Sequence, residues 1–202
     1  MPTPACLHPG CVAFLRTCPV LRHLSRFALF LALGLAGLPV VVASQPGEYQ
    51  IKAAYLINFA RYVEWPASRL PLGAVLRLCV LGRDPFGGAL LGLDGRQVQG
   101  REVRFRPVDS LEQALECHLV FVSGSEERRL GLILRGLAGR GVLSVSDIEG
   151  FAEVGGGIGM VTEDDRVRFD INQATLARDG LRASSQLLRL GRQVFGTERT
   201  SR

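Results

Sequence analysis

Apolar residues recur at Ile51, Ala54, Tyr55, Phe59 and Tyr62, the spacing of one helix face, and predict a helix over residues 48–66. Pro66 closes it, because the residue before a proline is biased away from helical geometry. Leu56, Ile57, Ala60 and Val63 fall outside that stripe, so the apolar surface is wider than packing on one sheet requires. Two readings follow. The helix covers a sheet, or it is buried on two sides, with Leu56, Ile57, Ala60 and Val63 set against a second copy of the chain. Asn58 sits inside the stripe, where a buried amide needs a partner.

Further along, the pattern alternates between elements. Near-continuous apolar runs at 75–82, 119–123 and 142–145 read as strands buried on both faces. Residues 101–106, REVRFR, alternate and read as a strand nearer the sheet edge. Between them lie a short helix at 87–93 and another at 110–116, capped by Asp109 or Ser110. A third helix at 126–137 is opened by Ser125 and stopped by Gly139 and Gly141. Strand and helix in alternation with short links predict a parallel sheet with helices on its faces. The pattern then breaks. Strands at 158–162 and 166–171, joined by Glu163, Asp164 and Asp165, make a late antiparallel hairpin. Helical segments at 172–178, with Asn172 as cap, and 184–190 close the chain. The expected fold is one compact α/β domain over 44–195, Rossmann-like, with a polar tail at 196–202.

Residues 1–43 read differently. Arg16, Arg22 and Arg26 precede an uncharged apolar run at 27–42, too short for a membrane span of about 20 residues. Val41 and Ala43 occupy the small-residue positions of a cleavage site before Ser44. This is the form of a secretory signal peptide, with an uncleaved anchor as the alternative. The product would be periplasmic. Of 24 Lys+Arg and 19 Asp+Glu, three Arg and no acids lie in the leader. The mature net charge of +2 gives no footprint for nucleic acid. Cys6, Cys11 and Cys18 leave with the leader. Cys79 and Cys117 remain, a bridge in an oxidising compartment or two separate core thiols.

Catalytic constellations are hard to assemble. Gly155, Gly156, Gly157 and Gly159 lead into a strand, whereas a phosphate loop opens a helix. A tight turn or bulge fits better. His118 is the single histidine after the leader, so zinc fails on ligand count and no serine triad has its elbow. Neither a cofactor nor a metal is expected. In open parallel sheets ligands sit at the carboxyl ends of strands, which makes Arg83, Ser123 and Ser125 a possible small-molecule cleft.

Three segments carry a resemblance. AAYLINFARYVEWP at 53–66, LCVLGRDPFG at 78–87, and VRFDIN at 167–172 with GLRASSQLLRL at 180–190 together resemble the YfiR family. The likeness covers nearly all of the mature chain. It implies a compact periplasmic α/β protein that forms homodimers and is not an enzyme. It implies contact with an inner-membrane diguanylate cyclase (YfiN-like), relieved by an outer-membrane lipoprotein (YfiB-like). Cyclic-di-GMP and biofilm would be the outputs. Cys79 and Cys117 match one family disulfide. A second has no counterpart, since residues 151–160 hold no Cys. The expected partner face is the outward side of the hairpin, with Asp170 flanked by Ile158 and Leu176. The competing reading is a periplasmic small-molecule-binding module serving another signalling or transport system.

Overall fold

A computed structural model describes residues 47–196. The expected signal peptide, its cleavage site and the tail beyond Gly196 lie outside the described residues. The chain runs α1 (Glu48–Tyr62), β1 (Val63–Glu64), β2 (Leu76–Leu81), β3 (Gln97–Val98), β4 (Arg101–Val108), α2 (Leu111–Leu115) and β5 (Leu119–Val122). It continues through α3 (Leu130–Leu137), β6 (Leu143–Ser146), β7 (Ile158–Glu163), β8 (Arg166–Asn172), α4 (Gln173–Arg178), β9 (Arg182–Ala183), α5 (Ser185–Leu190) and β10 (Gln193–Phe195).

The main sheet has the order β10-β8-β7-β6-β5-β2-β4-β3. Neighbours are parallel except at β3/β4 and β7/β8. From β2 the chain moves first to one side, to β4, and then to the other, through β5, β6 and β7. The order reverses between β2 and β5, where a doubly wound sheet opens its ligand crevice. The mixed α/β domain with a mostly parallel sheet is therefore as expected, and so is the antiparallel hairpin.

Alternation along the strands sorts the core into two layers. Leu76, Leu78, Val80, Phe121 and Val145 face α1, α4 and α5. Cys79, Leu81, Val120 and Val122 face α2 and α3. The α1 layer is tied together by rings. Phe59 meets Phe169 at 5.1 Å between centroids, Tyr55 meets Phe169 at 5.7 Å, and Phe86 bridges Tyr49 at 5.4 Å and Phe121 at 4.8 Å. Each fully buried ring contributes roughly 1.5–3 kcal/mol from burial.

Several local expectations give way to tertiary pairing. Helix α1 stops at Tyr62, before Pro66, because Val63 and Glu64 pair with Ala183 and Arg182. Ser184 N–H adds a bond to Tyr62 O at 2.8 Å. The helix expected at 87–93 is a single 3-10 turn, Leu91–Leu93. Residues 124–129 are likewise 3-10, capped by Ser123 rather than Ser125, before α3 begins. The caps at Ser110 and Asn172 are present, accepting from Gln113 N and Thr175 N. Strand β10 has only three residues, too few to show a periodicity, and it covers part of the hairpin expected to stand open.

The glycine run serves close packing. A Cβ at Gly156 would meet the Phe151 ring at 2.2 Å, and one at Gly157 would meet Ser144 O at 2.8 Å. Gly157 N–H donates to Ser144 Oγ at 2.9 Å. The segment entering β7 can press against β6 only without side chains.

Candidate functional site

The cleft expected at Arg83, Ser123 and Ser125 is filled by the protein itself. The loops after β2 and β5 touch. Ser125 Oγ accepts from Arg83 N–H at 3.0 Å, and Ser123 Oγ accepts from Ser125 N–H. Glu126 is buried, 8% exposed, and paired with Arg129. Gly82, at φ +92°, packs so closely that a Cβ there would lie 2.5 Å from Ser125 Oγ and 2.7 Å from Glu126 Oε1. The side chains of Ser125 and Glu126 thus occupy the crevice where a small molecule would sit.

A polar cluster lies instead at the end of β6, under the first turn of α1. Lys52, 4% exposed, places Nζ 2.6 Å from Asp147 Oδ2 and 2.7 Å from Glu48 Oε1. It also lies 4.5 Å from the Tyr49 ring centroid. Tyr49 OH donates to the same Asp147 oxygen at 2.9 Å, and Thr162 Oγ1 donates to Glu48. Burial alone would lower the Lys52 pKa, but its bonds to Asp147 and Glu48 outweigh burial and raise it. The Tyr49 phenol is pushed up by burial and then by Asp147. Held by two carboxylates and the Tyr49 ring, the ammonium anchors α1 to the sheet. The sequence carried its signal: Lys52 shares a helix face with Leu56, Phe59 and Val63, and a lysine on a core-facing stripe needs a buried acid.

Cys79 and Cys117 are joined, with Cα atoms 6.2 Å apart. The bridge ties β2 to the turn before β5. Next to it, His118 is 3% exposed. Its Nδ1 accepts from Arg77 N–H at 2.9 Å, and Nε2 lies 3.3 Å from Arg69 O. These partners fit a neutral ring protonated on Nε2. Burial first, then the Arg77 and Arg69 charges, push its pKa down to about 4. His118 O also accepts from Trp65 Nε1 at 3.2 Å. The histidine is a structural junction.

The residues expected to meet a partner are not on the surface. Ile158 is 0%, Leu176 1% and Asp170 6% exposed. Asp170 does point away from Val167 and Phe169, but Arg192 covers it, with Nε on Oδ1 at 2.9 Å and a terminal nitrogen on Oδ2 at 2.5 Å. Arg192 also pairs with Glu163. Beside them lies a cavity of about 310 Å³ that Glu149 and Glu153 help to line. At Asp170 the hairpin strand is not an edge, since β10 adds along Asp170–Asn172.

The residues expected at a dimer seam are core residues too. Leu56, Ala60 and Val63 are 0% exposed and Ile57 is 7%. Their face, not the one through Ala54 and Tyr62, lies against the sheet. Ala54 and Arg61 are exposed, and Asn58 is half-buried, accepting weakly from Arg61. No excess apolar surface is left at those four positions.

A family described as YfiR/HmsC-like matches residues 49–192. The chain belongs to the YfiR/HmsC-like family. The match spans α1 through Arg192, and it places the chain among periplasmic regulatory proteins. Among solved structures, an ABC domain in complex with L-Trp from Streptococcus pneumonia is similar over 71% of this chain, at 10% identity and a TM-score of 0.49. This chain spans 60% of that one's length. Among the described residues no helix is long and apolar enough to cross a membrane.

Proposed function

We propose that this YfiR/HmsC-like protein is a non-enzymatic periplasmic regulator that represses an inner-membrane diguanylate cyclase by direct contact. The family match over residues 49–192 carries the reading. The filled crevice at Arg83, Ser123 and Ser125 supports contact over small-molecule sensing at that point. A YfiN-like cyclase supplies the partner and a YfiB-like outer-membrane lipoprotein the release. The mature protein works after cleavage before Ser44. Self-association belongs to the same reading, with surface outside the buried face of α1.

The test is co-expression with a YfiN-like inner-membrane diguanylate cyclase. Cyclic-di-GMP should fall when this chain is exported and stay high when its leader is deleted. Unchanged cyclic-di-GMP at equal, folded, periplasmic expression rejects repression of that cyclase.

A further inference from the structure

Strand β8 keeps a stretch of open edge. Its register with β7, extended by the bond from Asn172 N–H to Gly157 O at 2.8 Å, turns the peptide groups of Arg166, Arg168 and Asp170 toward β7. Those of Val167, Phe169 and Ile171 then face the other way. There β10 covers the strand only from Asp170 to Asn172. Of the uncovered groups, Val167 O accepts from Tyr55 OH at 3.1 Å and Phe169 O from Arg192 N–H at 2.7 Å. The N–H groups of Val167 and Phe169 have no acceptor among the described residues.

Val167 and Phe169, themselves 9% and 4% exposed, help to line a groove of about 420 Å³. One wall is Ile51 and Tyr55 of α1, and the other is Leu190, which is 63% exposed. Arg166 and Arg168 stand exposed at its rim, and neither is in an ion pair among the described residues. The single acid lining it is Asp165. The edge therefore offers donors and positive charge beside an apolar trough.

We propose that the β8 edge between Arg166 and Phe169 is a strand-addition site for an extended acidic segment of a partner protein. The inference sharpens the contact reading above by naming its surface. Strand addition takes affinity from main-chain bonds and specificity from alternate side chains. An incoming strand would supply the carbonyls that the Val167 and Phe169 amides lack. Acidic residues on one of its faces would reach Arg166 and Arg168, while apolar ones on the other would fill the trough beside Ile51 and Leu190. A second copy of the chain fits poorly, because pairing this edge with itself sets arginines against arginines, and like charges across strands repel.

The experiment uses the mature protein and two synthetic peptides, acetyl-EVTVEV-amide and acetyl-KVTVKV-amide, followed by NMR. The acidic peptide should bind, and the Arg166→Glu/Arg168→Glu variant should weaken it by about tenfold and favour the basic one. Both substitutions are on exposed side chains, so folding should persist. Exchange of the Val167 and Phe169 amides should be fast in the free protein and slow about tenfold on binding. The Arg168 amide, already facing β7, should not change. If neither peptide binds at millimolar concentration, the arginines merely guard the edge against aggregation and the proposal fails. A parallel measurement uses the cyclase's periplasmic domain. Equal binding of wild type and double variant overturns this site but leaves cyclase repression standing. A wild-type protein that binds the acidic peptide but not the cyclase domain does the reverse.

Discussion

Arg192 grips Asp170 through two nitrogens, at 2.9 and 2.5 Å, and so fastens β10 onto β8. The acid is 6% exposed, and its partner lies one residue before a strand of only three. A strand that short has little hold of its own, so the pair sets how well this end of the sheet closes. Asp170→Ala should lower stability by about 1–3 kcal/mol in urea unfolding, with amide exchange rising first at Val194 and Phe195. Equal exchange in β10 would show that backbone pairing alone keeps it in place.

Asp170→Lys tests the same pair by reversing the charge. A lysine there meets Arg192 at close range in a nearly buried place, so the variant reports on folding and not on a surface contact. Its effect should appear as reduced soluble protein and a lowered urea midpoint before any change in cyclic-di-GMP. A fully stable Asp170→Lys protein would contradict the pairing.

His118 gives the protein an acid-sensitive point. Unfolded, the ring takes a proton near 6.5; folded, it does so only at about 4. Above pH 6.5 the group makes no pH-dependent difference. Between 6.5 and 4 the unfolded state binds the proton and the folded state does not, so stability falls with pH, by up to about 3 kcal/mol. Below 4 this contribution levels off. Urea midpoints of wild type and His118→Asn, compared from pH 7 to 4, should converge as pH falls. Parallel curves would mean that the ring titrates normally.

Cys79 and Cys117 are 38 residues apart. In the chain-entropy account a loop of that length stabilises by about 4 kcal/mol. Reduction, or the double change Cys79→Ala/Cys117→Ala, should lower the unfolding free energy by roughly that amount, less any structure held in the unfolded chain. The Arg69 bond to Cys117 O at 2.8 Å and the neighbouring His118 junction should loosen with it. Peptide mapping without reductant should recover the linked pair; two freely alkylated thiols in exported protein would refute it.

Much of the sheet was legible because its signals are long. Runs such as LVFV at β5 have both faces buried and nothing polar to confuse them. What failed was direction. Around α1, Leu56, Ile57, Ala60 and Val63 and the Ile51–Tyr55–Phe59 stripe are both apolar, and pattern alone cannot say which faces the sheet. Lys52 could have decided it, since its buried partner Asp147 lies 95 residues away at the end of a strand. Alternation correctly put Asp170 opposite Phe169. It could not foresee Arg192, 22 residues on, folding over the acid. The cleft at Arg83 was misread for a similar reason: a crevice at a switch point exists only if side chains leave it empty, and Ser125 and Glu126 do not. Ile57→Glu accordingly should unfold the chain, at a cost of several kcal/mol for an unpaired buried charge.

The Lys52–Asp147 pair should behave as a unit. Lys52 is 4% exposed, and the Asp147 side chain 12%. Because its pKa is raised, Lys52 stays charged at every pH where the fold is used. Its stabilisation is present below the unfolded value near 10.4 and lost only as pH climbs through the higher folded one. Lys52→Met should cost about 3 kcal/mol, because Asp147 would keep only the Tyr49 hydroxyl against a largely buried charge. Asp147→Leu should cost a similar amount by stranding the ammonium, which Glu48 alone holds from the exposed side. The double variant Lys52→Met/Asp147→Leu replaces the pair with apolar groups of similar volume and should recover most of either loss. Urea unfolding of all four proteins closes the cycle. Additive costs would mean that α1 is held by its rings and apolar face alone, and that the ion pair contributes nothing to docking it.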